Sequence, residues 1–191
     1  MTDWAKEYAE RRETSLAWLN KSSDLKASAA CLWHCIENEH TPLKAAIGYG
    51  GSFSFQGAVS PIYRMLCGLS LELLYKAIIV EQGNQPKTTH NLKDLAKDAG
   101  LQGSVEHDDL LDILTHSIEW NAKYPVPTEQ KQYHLQNFSD LVGKRFLEEM
   151  PTTNCGLKLR KVVNPLKWNI FAESWDEGLS VYWQTRENSS R

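Results

Sequence analysis

The chain has 191 residues, of which 41% are hydrophobic and 24% charged, with a formal net charge of −3. A chain of this size fits one large domain or one domain with a helical extension and buries a core without a metal or disulfide staple. The charge balance excludes a global basic field that would draw it to nucleic acid or an anionic membrane, and no apolar run reaches the length of a membrane span.

A first helix is expected from about residue 2 to 20, with Thr2 or Asp3 as its cap. Residues 1–13 are charged rather than apolar, unlike a signal peptide, so the expected setting is the cytoplasm. There Cys31, Cys35, Cys67 and Cys155 stay reduced. A second helix is expected from Ser22 or Ser23 to about Asn38, because Leu25, Ala29, Leu32, Trp33 and Ile36 follow helical spacing. The Lys-Ser-Ser step at 21–23 separates the two, unless they form one long kinked helix. Residues 41–60, with four glycines and Tyr49, Phe53 and Phe55, read as the longest irregular segment.

The central helix is the clearest element. Ser60 is its expected N-cap and Pro61 its first residue. Ile62, Met65, Leu66, Leu69, Leu73, Ala77 and Val80 line one face, Tyr63, Leu71, Leu74 and Ile78 widen it, and Gly83 ends it. Asn91 caps a short helix that Gly100 stops. A further helix spans about 105–122, until Tyr124-Pro125-Val126-Pro127 breaks it. Another runs from Thr128 to about Met150. Residues 151–164 read as a loop or short extended piece. Asn164-Pro165 starts the last helix, in which Trp168, Phe171, Trp175, Leu179 and Tyr182 recur at helical spacing, and the polar tail 186–191 is expected to fray. The chain is therefore expected to be all-α: one domain over 1–191 with about five or six helices. Its core lies at about 60–150, with the helices of 2–38 and 165–185 packed on it.

Charge is uneven along the chain. Glu106, Asp108, Asp109 and Asp112 form an acidic cluster. Lys144, Arg145, Lys158, Arg160, Lys161 and Lys167 make the last third locally basic, either a solvated face or a strip for phosphates. Glu72 and Lys76 stand at i and i+4 in the favourable order, on a narrow polar seam continued by Arg64 and Gly68. A charged pair on an apolar helix needs solvent, a pocket or polar partners. His90, just ahead of the Asn91 cap, is placed to hydrogen-bond across the turn. A structural ion pair and a satisfied turn histidine are the plain alternatives to ligand contact.

Two adjacent blocks resemble HEPN domains, helical bundles named for nucleotide binding. The first is Leu69-Ser-Leu-Glu-Leu-Leu-Tyr-Lys-Ala-Ile-Ile-Val-Glu-Gln-Gly. The second is Pro86-Lys-Thr-Thr-His-Asn-Leu-Lys-Asp-Leu. The pattern is an apolar helix with Glu and Lys one turn apart, then Thr-His-x-Leu-x-x-Leu, here Glu72, Lys76, Thr89, His90, Leu92 and Leu95. Lys123, Tyr124 and Pro125 are similar to a basic-aromatic-proline step of the family, with Lys where Arg is common. The resemblance covers residues 63–125. It implies a HEPN-like up-and-down bundle that pairs with a second copy, and ligand contacts at Glu72, Lys76, His90, Lys123 and Tyr124.

Catalysis finds less support. Members of that family acting as metal-independent RNases are similar in an Arg followed after four to six residues by His. Arg64 has no His before His90, and no His follows Arg145. His134 with Lys123 or Lys131 would need an unusual geometry for acid–base chemistry on a phosphodiester, and His116 stands alone. Cys31, His34, Cys35 and His40 make one cluster where structural zinc wants two paired knuckles, so buried thiols are expected there, with no metal and no cofactor. The sequence therefore points to a non-catalytic module for nucleotide or RNA, with Lys158, Arg160 and Lys161 as further phosphate contacts, or for a protein partner. A toxin–antitoxin or defence setting is in keeping with it. A toxin-type RNase with a degenerate site and a purely structural interaction domain are the alternatives.

Overall fold

The computed structural model describes residues 3–38, 41–49, 53–101, 103, 105–149, 160–162 and 166–189. These form a helical bundle. Its α-helices are α1 (Trp4–Glu13), α2 (Ser15–Glu37), α3 (Thr41–Ala46), α4 (Phe55–Glu81), α5 (Leu92–Asp98), α6 (Val105–His116), α7 (Tyr133–Phe146) and α8 (Trp168–Ser189). A π-helical turn, Ser117–Asn121, continues α6, and a 3-10 turn, Glu129–Lys131, precedes α7. The one β feature among the described residues is an antiparallel pair, β1 (Leu147–Glu149) with β2 (Arg160–Val162), in which Glu148 faces Lys161 and Glu149 faces Arg160.

Helix α4 is the axis, packed against α2, α8, α5, α6 and the π turn. Its apolar residues cover most of its circumference. Cys67, Leu71, Leu74, Ala77 and Ile78 are fully buried, and Tyr63 and Tyr75 almost so. Burying a Leu or Ile side chain contributes roughly 1.5–3 kcal/mol, which makes this helix the main source of stability. Helix α2 crosses it at two small residues. Ser22 Oγ donates to Ser70 O at 2.7 Å, and Ser70 Oγ donates to Ser22 O at 2.8 Å. Trp175 Nε1 of α8 donates to Ser22 Oγ at 3.0 Å, so three helices meet at one satisfied polar point.

Several boundaries differ from the sequence expectation. The break in the N-terminal region falls at Thr14, which is extended (φ −94°, ψ 104°), and not at 21–23. Thr14 Oγ1 turns back to Glu10 O at 2.6 Å and closes α1. The serines expected to break the helix are satisfied within it: Ser22 as above, and Ser23 through Leu19 O at 3.1 Å. Helix α4 starts six residues before Pro61, because Ser54 accepts from Gly57 N at 3.3 Å and caps it earlier. Residues 41–46 form the short α3 where an irregular segment was expected. The helix expected from Thr128 begins as a 3-10 turn and gives way to β1 at Leu147. The tail expected to fray is helical to Ser189, held by Arg186 Nη1 on Tyr182 OH (2.9 Å) and Ser189 Oγ on Glu81 O (3.5 Å). Gly83 (φ +78°) and Gly100 (φ +82°) do follow helix ends in the left-handed conformation that glycine adopts without strain. No helix among the described residues is long and apolar enough to cross a membrane.

Candidate functional site

The polar seam of α4 closes on itself. Lys76 Nζ donates to Glu72 Oε1 at 2.7 Å, and His90 Nδ1 meets Glu72 Oε2 at 2.9 Å. Glu72 is 4% and Lys76 8% exposed. His90 is placed by the start of α5, where Asn91 Oδ1 accepts from Lys93 N and Asp94 N, and Thr89 Oγ1 accepts from Asn91 N. Leu92 N, at the first position of that helix, is taken by Thr115 Oγ1 of α6 at 3.1 Å. Glu72 is thus shared between one lysine and one histidine, and the pair lies buried and internally satisfied. Desolvation makes such a pair costly to break. Arg64, on the same seam, is half-buried, and desolvation of its guanidinium lowers its pKa.

Lys76 has a second surface. With Tyr8, Arg11, Arg12, Trp18 and the Pro86-Lys87-Thr88 segment it lines a cleft of about 360 Å³. The local sequence explains the wall. Asp3 caps α1 through Ala5 N and Lys6 N, and Trp18 Nε1 donates to Arg12 O at 3.0 Å, satisfying a carbonyl left open at the end of α1. That bond holds α1, which buries none of its residues, against the bundle. Four cationic residues therefore line one cleft beside two aromatic ones. Three of the four carry a carboxylate: Arg11 with Glu7 at 2.7 Å, Lys76 with Glu72, and Lys87 with Asp98 at 2.7 Å. Hydrogen bonding to Asp98, more than its charge, raises the Lys87 pKa. Arg12 has no carboxylate partner among the described residues. Tyr8, 67% exposed, offers an open ring face.

The remaining expected site residues are dispersed. Lys123 and Tyr124 are exposed beyond the π turn, their amides bonded to Trp120 O, and no hydrogen bond or ion pair among the described residues joins them to Glu72 or His90. Lys158 lies outside the described residues, and so does His40. Arg160 and Lys161 lie on β2, opposite two glutamates in register. The acidic stretch of α6 is matched by lysines, Lys93 on Asp112 at 2.8 Å and Lys144 on Asp109 at 2.9 Å. Cys31 is exposed, Cys35 half-buried, and His34 Nδ1 lies 3.2 Å from Asn38 Nδ2.

One grouping joins histidines that the sequence reading treated separately. His116 Nδ1 and His134 Nδ1 are 3.3 Å apart, and Glu119 Oε2 is 3.5 Å from His134 Nδ1. Burial first, and then His134, holds the His116 pKa below the ordinary histidine value. The three residues come from the end of α6, the π turn and α7. They fit no spacing motif, because a proline-containing turn folds the chain back between Glu119 and His134.

A scan against family models, a search of curated proteins and a search of solved structures each return no match to this chain.

Proposed function

We propose that the protein is a non-catalytic, HEPN-like binding module that takes a nucleotide, or a short single-stranded RNA, in the cleft between α1, α2, α4 and the 86–88 segment. The observation that carries the reading is the convergence of Arg11, Arg12, Lys76 and Lys87 with Tyr8 and Trp18. Cations hold phosphate oxygens, a guanidinium in two-point fashion, and aromatic faces stack bases without sequence preference. The cleft volume lies near the lower end of the roughly 300–1,000 Å³ of ligand pockets, a size suited to one nucleotide unit. Three of the four cations are already partly neutralised, so affinity is modest and salt-sensitive. Pairing of two copies, a cytoplasmic setting and a toxin–antitoxin or defence role belong to the same proposal and rest on the family resemblance in the sequence.

The test is a titration with AMP and a fluorescent oligouridylate at two salt concentrations, beside an RNA cleavage assay. Binding should weaken with salt by about 0.7 log units per log unit of salt for each phosphate engaged. Arg12→Glu should reduce affinity by tenfold or more, and Lys123→Glu by less than twofold. Affinity that ignores salt and Arg12→Glu would transfer the weight to a protein partner. Cleavage lost on His134→Ala would establish an RNase.

A further inference from the structure

We infer that His116, Glu119 and His134 form a binding site for one divalent transition-metal ion of the zinc class. Among the described residues they are the one group of three side chains whose ligand atoms all lie within 4.8 Å of one another. The sequence expectation of no metal was built on the Cys31–Cys35 cluster of α2, a different part of the chain.

The geometry has the right scale. In a tetrahedral zinc site with bonds of about 2.0–2.1 Å, neighbouring ligand atoms stand about 3.3–3.4 Å apart. The observed edges are 3.3 Å between the imidazole nitrogens and 3.5 Å from His134 Nδ1 to Glu119 Oε2. Two nitrogens and one carboxylate oxygen are three protein ligands, the number found where a fourth position is left to water.

A second observation points to a missing partner. Glu119 Oε2 is inaccessible to solvent and accepts no hydrogen bond; its His134 neighbour lies within ion-pair reach but fails as a donor. A buried carboxylate oxygen without a partner is costly, and a cation placed against the two imidazoles would satisfy it. Without a cation, the facing Nδ1 atoms are compatible only if one imidazole donates and the other accepts. A metal takes a lone pair from each.

The surroundings suit ligation. Lys131 Nζ lies 3.6 Å from the other Glu119 oxygen and orients the carboxylate, as outer-shell partners do. Phe138 sets its ring edge-on to both His116 and Trp120, with centroids at 5.8 and 5.4 Å, and limits solvent there. The backbone is special at the same place. Ser117 Oγ donates back to Ile113 O at 2.9 Å, a bond that bends helices, and Ala122 N reaches Ser117 O in the i→i+5 pattern. Such π turns concentrate at functional sites.

The experiment uses the full chain, stripped with chelator and dialysed into metal-free buffer. Zn²⁺ is titrated in competition with a chromophoric chelator, and Co²⁺ by visible absorption. One ion per chain is expected. At a hundredfold excess over Kd the thermal midpoint should rise by about 5–10 °C. Glu119→Gln and His134→Gln should each weaken Zn²⁺ at least tenfold and remove the thermal shift. Glu119→Gln preserves shape, so it reports even where His134→Gln folds poorly. Cys31→Ser with Cys35→Ser should leave binding unchanged. The site is refuted by wild-type protein that binds less than one ion at 100 µM Zn²⁺, by binding indifferent to both variants, or by binding lost in the cysteine pair instead.

Discussion

Glu72 accepts from Lys76 and His90 together, and its burial at 4% exposure makes that arrangement energetically consequential. Removing one partner of a buried pair leaves a charge without compensation and costs about 3–5 kcal/mol, whereas replacing both by apolar groups of similar volume is close to neutral. Glu72→Leu and Lys76→Met should each destabilise by about 3 kcal/mol or more, and the double variant by at least about 2 kcal/mol less than the sum. Urea unfolding of the four proteins measures this, and additive losses would show that the pair is not a unit. The i, i+4 spacing made this contact legible in the sequence. The sharing of Glu72 with His90 was legible as a turn hydrogen bond without its partner, because the partner lies on another helix. The metal-type cluster was hidden more deeply. His116 and His134 are 18 positions apart, and only the chain reversal after the π turn faces their nitrogens.

At the scale of elements, two glycines set how closely helices approach α4. A Cβ on Gly68 would lie 2.9 Å from Ile118 Cδ1 and Cγ1 and 3.1 Å from the Leu114 carbonyl oxygen; one on Gly178 would lie 2.8 Å from Leu74 Cδ2 and 3.4 Å from its Cγ. Ala gains roughly 1 kcal/mol of helix propensity over Gly, while overpacking costs about 1–3 kcal/mol. At Gly68 a backbone oxygen is among the obstacles and cannot turn aside. At Gly178 the close atom is a methyl at the end of a side chain. Gly68→Ala should therefore lower stability by about 1–2 kcal/mol, and Gly178→Ala should stay within about 0.5 kcal/mol of wild type. Equal losses in thermal or urea unfolding would discard the distinction. Helix identity was readable from periodicity and caps: Asn91, Gly83 and Gly100 act where expected. Helix ends were less so. Ser22 and Ser23 resemble breakers in sequence, yet Ser22 finds its acceptor on α4, and Ser54, six residues ahead of the expected cap, begins that helix.

The molecule as a whole should be sensitive to alkali. Burial raises the pKa of Cys67, Tyr63 and Tyr75; Cys67 raises that of Tyr63 further, while the neighbouring Tyr63 hydroxyl and then the Arg64 charge only partly oppose the shift at Cys67. Glu177 adds to the shift at Tyr75. Since these folded-state values lie above the unfolded ones, the unfolded chain releases its protons first. The stabilisation is complete below about pH 8.5, the unfolded cysteine value, and declines as pH rises. The slope from Cys67 is about 1.4 kcal/mol per pH unit from about pH 8.5, and it steepens above about pH 10 as the two tyrosines join. Urea midpoints between pH 7 and 11 test this, with Cys67→Ala removing the first limb. A wild-type profile flat to pH 10 would contradict it.

The sequence by itself determined that the chain is helical, where its central helix lies, and that Glu72 and Lys76 meet. These follow from spacing along one helix and from caps a few residues away, interactions that local order specifies. The tertiary structure alone decided that α1 leans on α2 through Trp18, so that Arg11 and Arg12 reach the same cleft as Lys76 and Lys87. It also decided that His116, Glu119 and His134 face one another. Both groupings draw on residues distant in the chain, whose proximity depends on how helices pack and how turns reverse, and no linear spacing encodes that.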